Sequence, residues 1–192
     1  MRARRRIVRT ARETRERRAR LLGRWLHPQD YSGEGSYRPP SPWYRRLNPV
    51  GVPLTTWGLA PRDAMTLQVR GRRTGRPRRI PILITRYEGA DYLVALAGQS
   101  QWVRNVRAAG GDAVLRRRST RRVRLEEVPV DERAPVLAAY LEAGKRRSGE
   151  SAAREQAKWY FGLHEPPTVE RLAELAPRYP VFRVHDAESR GV

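Results

Sequence analysis

The chain has 192 residues, enough for one domain with extensions, and 39% of them are apolar. It contains no cysteine, which excludes disulfides, thiolate metal ligands and cysteine nucleophiles, and which fits a reducing compartment. Forty basic residues against twenty acidic ones give a formal net charge of +20. Such an excess favours polyanionic partners: nucleic acid, anionic lipid or a phosphorylated ligand. Nearly all of the charge is arginine, so a GC-rich genome is a second explanation of it.

Residues 2–26 are predicted to form a basic helical extension. Eleven arginines against two glutamates give this segment a net charge of +9, and its Glu–Arg pairs four residues apart favour a helix. One interpretation is a solvated or partly disordered extension, or a start codon assigned too early. A second is a helix that lies on an anionic membrane surface and presents its arginines together with Trp25. Nucleic-acid binding is a third.

Residues 27–61 have the composition of a linker, because prolines and glycines recur through the segment and interrupt any regular element. Aromatic residues such as Tyr37, Trp43 and Trp57 are interleaved with them. A purely disordered linker carries fewer aromatic residues. We therefore expect this segment to pack on the following domain from about Trp43.

Residues 62–186 carry the patterns of a compact domain. Alternating apolar residues predict strands at 65–70, 79–87, 92–97, 113–117, 121–128 and 180–184. Helical periodicity and capping residues predict helices at 101–109, from an Asp131 cap to about Gly144, at 152–161, and from a Thr168 cap to Ala176. Residues 187–192 form a tail.

Two details indicate the topology of this domain. Pro81 lies inside the second predicted strand and places it at a barrel rim or a sheet edge, because proline donates no ladder hydrogen bond. Short strands with a helix inserted after the third indicate an α+β fold, a mainly antiparallel split β-barrel with further helices on its C-terminal side. A doubly wound sheet is disfavoured, since its parallel strands each need a crossover helix.

The most informative stretch is the turn at residues 71–79, Gly-Arg-Arg-Thr-Gly-Arg-Pro-Arg-Arg. Its backbone N–H groups and the Thr74 hydroxyl can face an anion. Arg72, Arg73 and Arg78 can add charge-assisted bonds to a phosphate. The alternative is a solvated basic hairpin in an arginine-rich chain. The spacing is neither that of a Walker loop nor that of a dinucleotide-binding G-x-G-x-x-G turn.

A second candidate stretch, residues 98–107, runs from the end of a strand into a helix. Helix N-termini attract anions. In addition, Trp102 can stack on a ring and Asn105 can donate a hydrogen bond to a ligand. The alternative is that Trp102 is an ordinary core residue and Asn105 a surface residue.

Taken together, these motifs resemble the deazaflavin (coenzyme F420)-dependent nitroreductase-like family. They are the basic turn, the Ile-Pro strand at residues 80–81 and the Gln-Trp-x-Arg-Asn-x-Arg-Ala-Ala helix at residues 101–109. The resemblance spans roughly residues 62–184. It implies a split β-barrel related to flavin-nucleotide-binding oxidoreductases. It also implies an enzyme that passes a hydride from the reduced deazaflavin to a small organic acceptor such as a quinone or nitro compound.

The resemblance implies site residues as well. The turn residues would hold the phosphate-bearing tail of the cofactor: Arg72, Arg73, Thr74, Gly75 and Arg78. Four others would line its ring or its sugar-like chain: Pro81, Ala95, Trp102 and Asn105. Trp159 and Tyr160 are candidates for the acceptor side, with helical core as the alternative. No catalytic residue is assigned, and no metal site is expected because the three histidines are isolated.

The predicted function is therefore that of a deazaflavin-dependent oxidoreductase, with FMN as the alternative cofactor. The other hypotheses are a split-barrel protein that holds a flavin, haem or lipid without turnover, and a basic nucleic-acid-binding protein, which rests on charge alone. Expected partners are a small electron acceptor, an anionic membrane through residues 1–26, and a second copy of the chain by family analogy. No apolar run of about 18 residues and no signal-peptide pattern is present, so a cytoplasmic location with peripheral membrane association is expected.

Overall fold

A computed structural model describes residues 52–53, 56–57, 62–163 and 167–187. The basic extension 1–26, most of the segment 27–61 and residues 188–192 lie outside the described residues. The predictions made for those segments therefore stay predictions.

Six antiparallel strands close into one barrel in the order β1-β2-β3-β6-β5-β4. The strands are β1 (Ala64–Arg70), β2 (Pro77–Tyr87), β3 (Ala90–Val94), β4 (Asp112–Arg117), β5 (Ser119–Glu127) and β6 (Val181–Asp186). Helix α1 (Gln101–Ala108) follows β3, and α2 (Arg133–Ser148), α3 (Glu150–Phe161) and α4 (Val169–Leu175) lie between β5 and β6. The predicted α+β class, a mainly antiparallel barrel with a short helix after the third strand, is confirmed.

The barrel interior is built from the alternate residues that the strand period directs inward. Leu67, Leu93, Leu115 and Phe182 come from four different strands and are fully buried there. Helix α1 contributes to the same apolar cluster through Val103 and Val106, two residues that share one face of a helix.

A second apolar cluster lies outside the barrel, between its wall and the helices α2, α3 and α4. Tyr92 and Val94 of β3 face it, and Leu137, Tyr140 and Leu172 of the helices pack against it. Helix α4 begins as predicted, because the Thr168 hydroxyl accepts a hydrogen bond from the backbone N–H of Arg171 at 3.3 Å. The helices thus stabilise one side of the barrel and leave its two ends to the loops.

The turns depart from the predictions in places. The β2–β3 connection is the two-residue turn Glu88–Gly89, in which both residues have positive φ, as hairpin geometry favours. The β4–β5 hairpin turns at the single residue Arg118 (φ 56°), so β5 begins at Ser119, two residues before the predicted strand at 121–128. β3 ends at Val94, before the predicted position 97.

The predicted Asp131 cap is wrong. Asp131 lies inside a short 3₁₀ turn, Val130–Glu132, and α2 starts only at Arg133. The helix then continues to Ser148, beyond the predicted end near Gly144. Acidic residues do favour the start of a helix, but here Asp131 and Glu132 lie in the 3₁₀ turn that precedes α2.

Candidate functional site

The two motifs singled out in the sequence lie at the same end of the barrel. Strands of an antiparallel barrel alternate in direction, so the end of β1, the start of β2 and the end of β3 share one rim. The basic turn joins β1 to β2 at this rim, and α1 begins there after β3. We call this the basic rim, comprising residues 71–82 and 95–105.

The basic turn is held together by its own backbone. Gly71 N–H donates to the carbonyl of Arg76 at 3.0 Å, and Gly75 N–H donates to the carbonyl of Gly71 at 2.8 Å. A Cβ on Gly71 would approach the Arg76 carbonyl oxygen to 2.9 Å, and Gly75 has a φ of +68°. Glycine is therefore required at the first position by space and favoured at the second by conformation. The Thr74 hydroxyl accepts a bond from the Arg76 N–H at 3.4 Å.

Arg72 connects the basic turn to α1. Its guanidinium donates to Asn105 Oδ1 at 3.0 Å and to Gln101 Oε1 at 3.0 Å, and its backbone N–H donates to Asn105 Oδ1 at 3.3 Å. Asn105 is buried, not on the surface as one sequence interpretation had it. The structure thus joins the two motifs into one surface and shows Asn105 as the acceptor that fixes the turn.

Three further arginines of the turn project from this surface. Arg73, Arg76 and Arg78 are exposed, and their guanidinium groups have no ion pair or side-chain hydrogen bond within the described part of the chain. Exposed guanidinium groups beside a structured turn are well suited to bind a phosphate-bearing ligand.

The apolar part of the basic rim surrounds Trp102. The indole is half-buried, and its ring centroid lies 5.5 Å from that of Phe182 at an interplanar angle of 55°. Ile80 and Ile82 of β2 are also only partly buried against the barrel cluster. Ala95 is buried and its N–H donates to the Pro180 carbonyl at 2.9 Å.

Pro81 stands where its missing N–H does no harm. It is opposite Thr66 of β1, whereas β3 pairs with β2 only from Ile84 onward. Among the described strands, residues 77–83 of β2 therefore pair on one side only. This agrees with the prediction of a strand edge at Pro81.

Sequence reasoning did not single out Ser100. It occupies the N-cap position of α1 yet makes no capping bond. Its side chain is 7% exposed, and within the described residues its Oγ has no hydrogen-bond partner. A buried unsatisfied hydroxyl is costly unless a partner is supplied. A serine directly before a helix was the available signal, but the usual reading of that signal is a cap.

The acceptor-side candidates are placed differently from the other candidates. Tyr160 is buried in the outer cluster, and its carbonyl accepts a hydrogen bond from the Tyr179 hydroxyl. This placement matches the helical-core alternative for Tyr160. Trp159 lies in α3, and its side chain is outside the described residues.

A charged cluster links α1 to the barrel wall beside the rim. Glu127, the last residue of β5, accepts from Arg107 Nε and Nη2 at 2.7 Å each and from Arg133 Nη2 at 3.1 Å. The bonds from Arg107, together with its charge and that of Arg133, outweigh partial burial and hold the pKa of the Glu127 carboxyl below its ordinary value. Burial lowers the pKa of Arg133, against the pull of Glu127.

A shallow polar cleft of about 400 Å³ lies at the opposite end of the barrel. Asp91, Arg121, Arg183 and Asp186 are among its lining residues, and Arg121 is already paired with both carboxylates. It contains none of the predicted site residues. Among the described residues, no group of three or more possible metal ligands occurs and no helix is long and apolar enough to cross a membrane.

The described residues thus form a closed antiparallel barrel that carries a basic turn and a tryptophan-bearing helix at one rim, an arrangement suited to binding a cofactor. Residues 37–145, which are 109 of the 192, match the profile of the F420H(2)-dependent quinone reductase family. The chain belongs to this family. It is accordingly an F420H2-dependent reductase. The match begins inside the segment 27–61, before the domain that the sequence patterns delimit.

Similarity to solved structures is more distant. The "F420-H2 Dependent Reductase (FDR-A)" is 17% identical, with a TM-score of 0.42 over 65% of this chain and 95% of the other. HutZ, described as the haem storage protein from Vibrio cholerae, is 12% identical, with a TM-score of 0.41 over 67% and 84%. Rv2991 from Mycobacterium tuberculosis is 16% identical, with a TM-score of 0.36 over 67% and 76%. No curated protein matches in sequence.

The residues at the basic rim fit the cofactor. The exposed guanidinium groups of Arg73 and Arg78, which have no side-chain partner in the described part of the chain, suit its anionic tail, and the partly buried Trp102, Ile80 and Ile82 suit a ring. The buried Ser100 Oγ, which has no hydrogen-bond partner within the described residues, adds a polar atom that a ligand can pair with.

Proposed function

We propose that the chain reduces a quinone-like acceptor with F420H2 bound at the basic rim. The observation that carries the proposal is the set of hydrogen bonds from Arg72 to Asn105 and Gln101. These bonds bring a phosphate-type donor set and a tryptophan-bearing helix into one surface. Either motif alone is compatible with an ordinary basic hairpin or an ordinary core helix.

Each part of the basic rim has a distinct role in this proposal. Arg73 and Arg78 bind the phosphate-bearing tail, with Thr74 and Gly75 shaping the turn from which they project. Arg72 and Asn105 orient the turn, while Trp102, Pro81 and Ala95 limit the space for the ring. Bound F420H2 supplies a hydride, so the protein needs to bind, orient and exclude water more than to provide a strong base.

The acceptor is inferred from the family and from the apolar side chains that border the basic turn. Reduction of a quinone would take a hydride from the reduced cofactor and a proton from solvent to give the hydroquinone, while the oxidised cofactor releases one proton to solvent. The partly exposed Trp102, Ile80 and Ile82 that border the cofactor ring also leave an apolar approach to it for a flat acceptor. Tyr160 does not contact an acceptor there, because its side chain is buried among the helices.

The test is a charge-reversal pair with a matched control. Arg73→Glu with Arg78→Glu removes the proposed tail contacts. Arg122→Glu with Arg146→Glu changes the net charge equally at two exposed arginines, one on the outer wall and one near the end of α2. Affinity for F420 and for FMN is measured by fluorescence for both double variants at two salt concentrations.

The rim pair is expected to weaken F420 binding at least about a hundredfold, since each lost charge-assisted bond costs about 1.5–3 kcal/mol. The control pair should weaken it only slightly, and less at high salt. Equal loss in both double variants would indicate non-specific attraction of an anion. Tight binding of FMN with no binding of F420 would reject the deazaflavin site. Turnover assays with a quinone and with a nitro compound then identify the acceptor.

A further inference from the structure

Two arginines fix helix α1 to its surroundings, and we call each set of bonds a clamp. The first clamp is Arg72 of the basic turn, which bonds Gln101 and Asn105. The second clamp is Arg107, in the last turn of the helix. We propose that Arg107 is a positioning residue that holds α1 and the loop before it in the orientation the cofactor site needs. This inference rests on the proposed function.

All three guanidinium nitrogens of Arg107 donate hydrogen bonds in the second clamp. Nε and Nη2 each donate to one oxygen of the Glu127 carboxylate at 2.7 Å, which is the bidentate arrangement that fixes direction as well as distance. The remaining nitrogen, Nη1, donates to Gln99 Oε1. Gln99 lies in the loop between β3 and α1, next to Ser100 and three residues before Trp102.

The other side of the clamp is fixed to the barrel. Glu127 also accepts from Arg133, whose side chain is 7% exposed. Arg133 in turn donates to the carbonyl of Val128 at 2.8 Å and reaches the carbonyls of Ala176 and Tyr179. The buried Arg133 therefore fixes the Glu127 carboxylate to the barrel wall. Through its bonds to Glu127, Arg107 fixes α1 to the same wall.

The clamp also lies next to the ring-facing part of the rim. Glu127 is paired across the sheet with Phe182, and Phe182 contacts Trp102. Arg107 thus contacts the loop before Trp102 through Gln99, and its partner Glu127 is paired with the residue that Trp102 contacts. An ordinary exposed ion pair has no such connection and contributes little.

The experiment compares Arg107→Ala with Arg154→Ala. Both remove an exposed arginine from an ion pair with a glutamate, but Arg154 pairs with Glu150 on α3, away from the rim. Arg107→Lys, which keeps the charge and cannot bridge both partners at once, is the conservative variant. The measurements are amide hydrogen exchange over residues 99–105 in the cofactor-free protein, F420 affinity, kcat at saturating F420H2, and the unfolding midpoint.

Arg107→Ala is expected to speed exchange over residues 99–105 and to weaken F420 binding about tenfold, the equivalent of one charge-assisted bond. kcat at saturating F420H2 should stay within about twofold, because bound cofactor reorders the helix. Arg107→Lys should lie between Arg107→Ala and the unmodified protein. Arg154→Ala should change neither exchange at the rim nor F420 affinity.

Three results would overturn the inference. One is unchanged exchange over residues 99–105 in Arg107→Ala. Another is an equal loss of F420 affinity in Arg107→Ala and Arg154→Ala. The third is a loss of affinity in proportion to a fall in the unfolding midpoint, which would indicate a general loss of stability. If the unmodified protein binds no F420, the proposed function fails, and the exchange comparison still decides whether Arg107 holds the loop.

Discussion

Substitution of Asn105 distinguishes between a residue that orients the turn and one that contacts the cofactor. In the structure its Oδ1 accepts from the Arg72 backbone N–H and from the Arg72 guanidinium. Asn105→Asp keeps an acceptor of the same shape and adds a charge opposite Arg72. Asn105→Leu removes the acceptor while filling similar volume. If Asn105 instead donates its amide hydrogens to the cofactor, both substitutions remove that donor equally.

The magnitude follows from the two bonds. A bond to a charged group is worth about 1.5–3 kcal/mol and a neutral bond about 0.5–1.5 kcal/mol. The summed loss is smaller here, because both Arg72 donors lie at an exposed turn where water can replace the lost acceptor. Asn105→Leu should therefore cost about 1–3 kcal/mol. For a domain of this size that lowers Tm by roughly 3–9 °C. Asn105→Asp should stay within about 1 kcal/mol of the unmodified protein.

The assays are thermal unfolding and F420 binding at neutral pH. The turn-orienting role predicts that Asn105→Leu loses both stability and about tenfold or more in affinity, while Asn105→Asp keeps both. Similar damage to binding by the two variants, with Asn105→Asp still stable, would refute this reasoning and assign Asn105 to direct contact with the cofactor.

Four further predictions follow from the same structure and sequence. The pKa of Glu127 is lowered from its ordinary value of 4.5, chiefly by its hydrogen bonds from Arg107. Its contribution to the free energy of unfolding is therefore full above that value and lost as pH falls below it. Urea unfolding from pH 6 to pH 3 should show a smaller fall in the free energy of unfolding in Glu127→Gln than in the unmodified protein. Gly71→Ala should destabilise the turn by about 1–3 kcal/mol, because its Cβ would meet a backbone carbonyl at 2.9 Å, and F420 affinity should fall with it in a binding titration. Trp102→Ala should weaken F420 binding far more than Trp102→Phe, measured by fluorescence, and similar affinities would remove the indole from the ring site. Deletion of residues 1–26 should leave F420 affinity unchanged and abolish sedimentation with anionic liposomes, since each basic residue near such a surface contributes on the order of 1 kcal/mol; equal sedimentation of both forms would contradict the membrane interpretation of that segment.

The parts of the fold that local patterns determine were predictable. The alternation of apolar residues in β1 and β2, with two glycines between them, fixes a hairpin without reference to the rest of the chain. The Thr168 cap is equally local, because its partner, the N–H of Arg171, is three residues away. The prediction of an Asp131 cap also rested on a local pattern, but it is wrong. Acidic residues suit the start of a 3₁₀ turn as well as that of an α-helix.

The contacts that assemble the candidate site were not predictable from spacing. Arg72 and Asn105 are 33 residues apart, and nothing local indicates that one is the acceptor of the other. Arg133 resembles any charged residue at the start of a helix, yet it is buried because Glu127 and three carbonyls surround it. Tertiary packing likewise decided that the Tyr160 ring lies in the core, where periodicity left two alternatives open.

The position of β6 has a consequence for how the chain folds during synthesis. This strand is inserted between β3 and β5, with Asp91 paired to Val184 and Val123 paired to Asp186. Until residues 181–186 leave the ribosome, the other five strands expose two unpaired edges. Such edges recruit other chains and form aggregates, and pairing across so long a stretch of sequence is slow. Expression of this protein should therefore depend on the rate of translation and on chaperone supply more strongly than its native stability suggests.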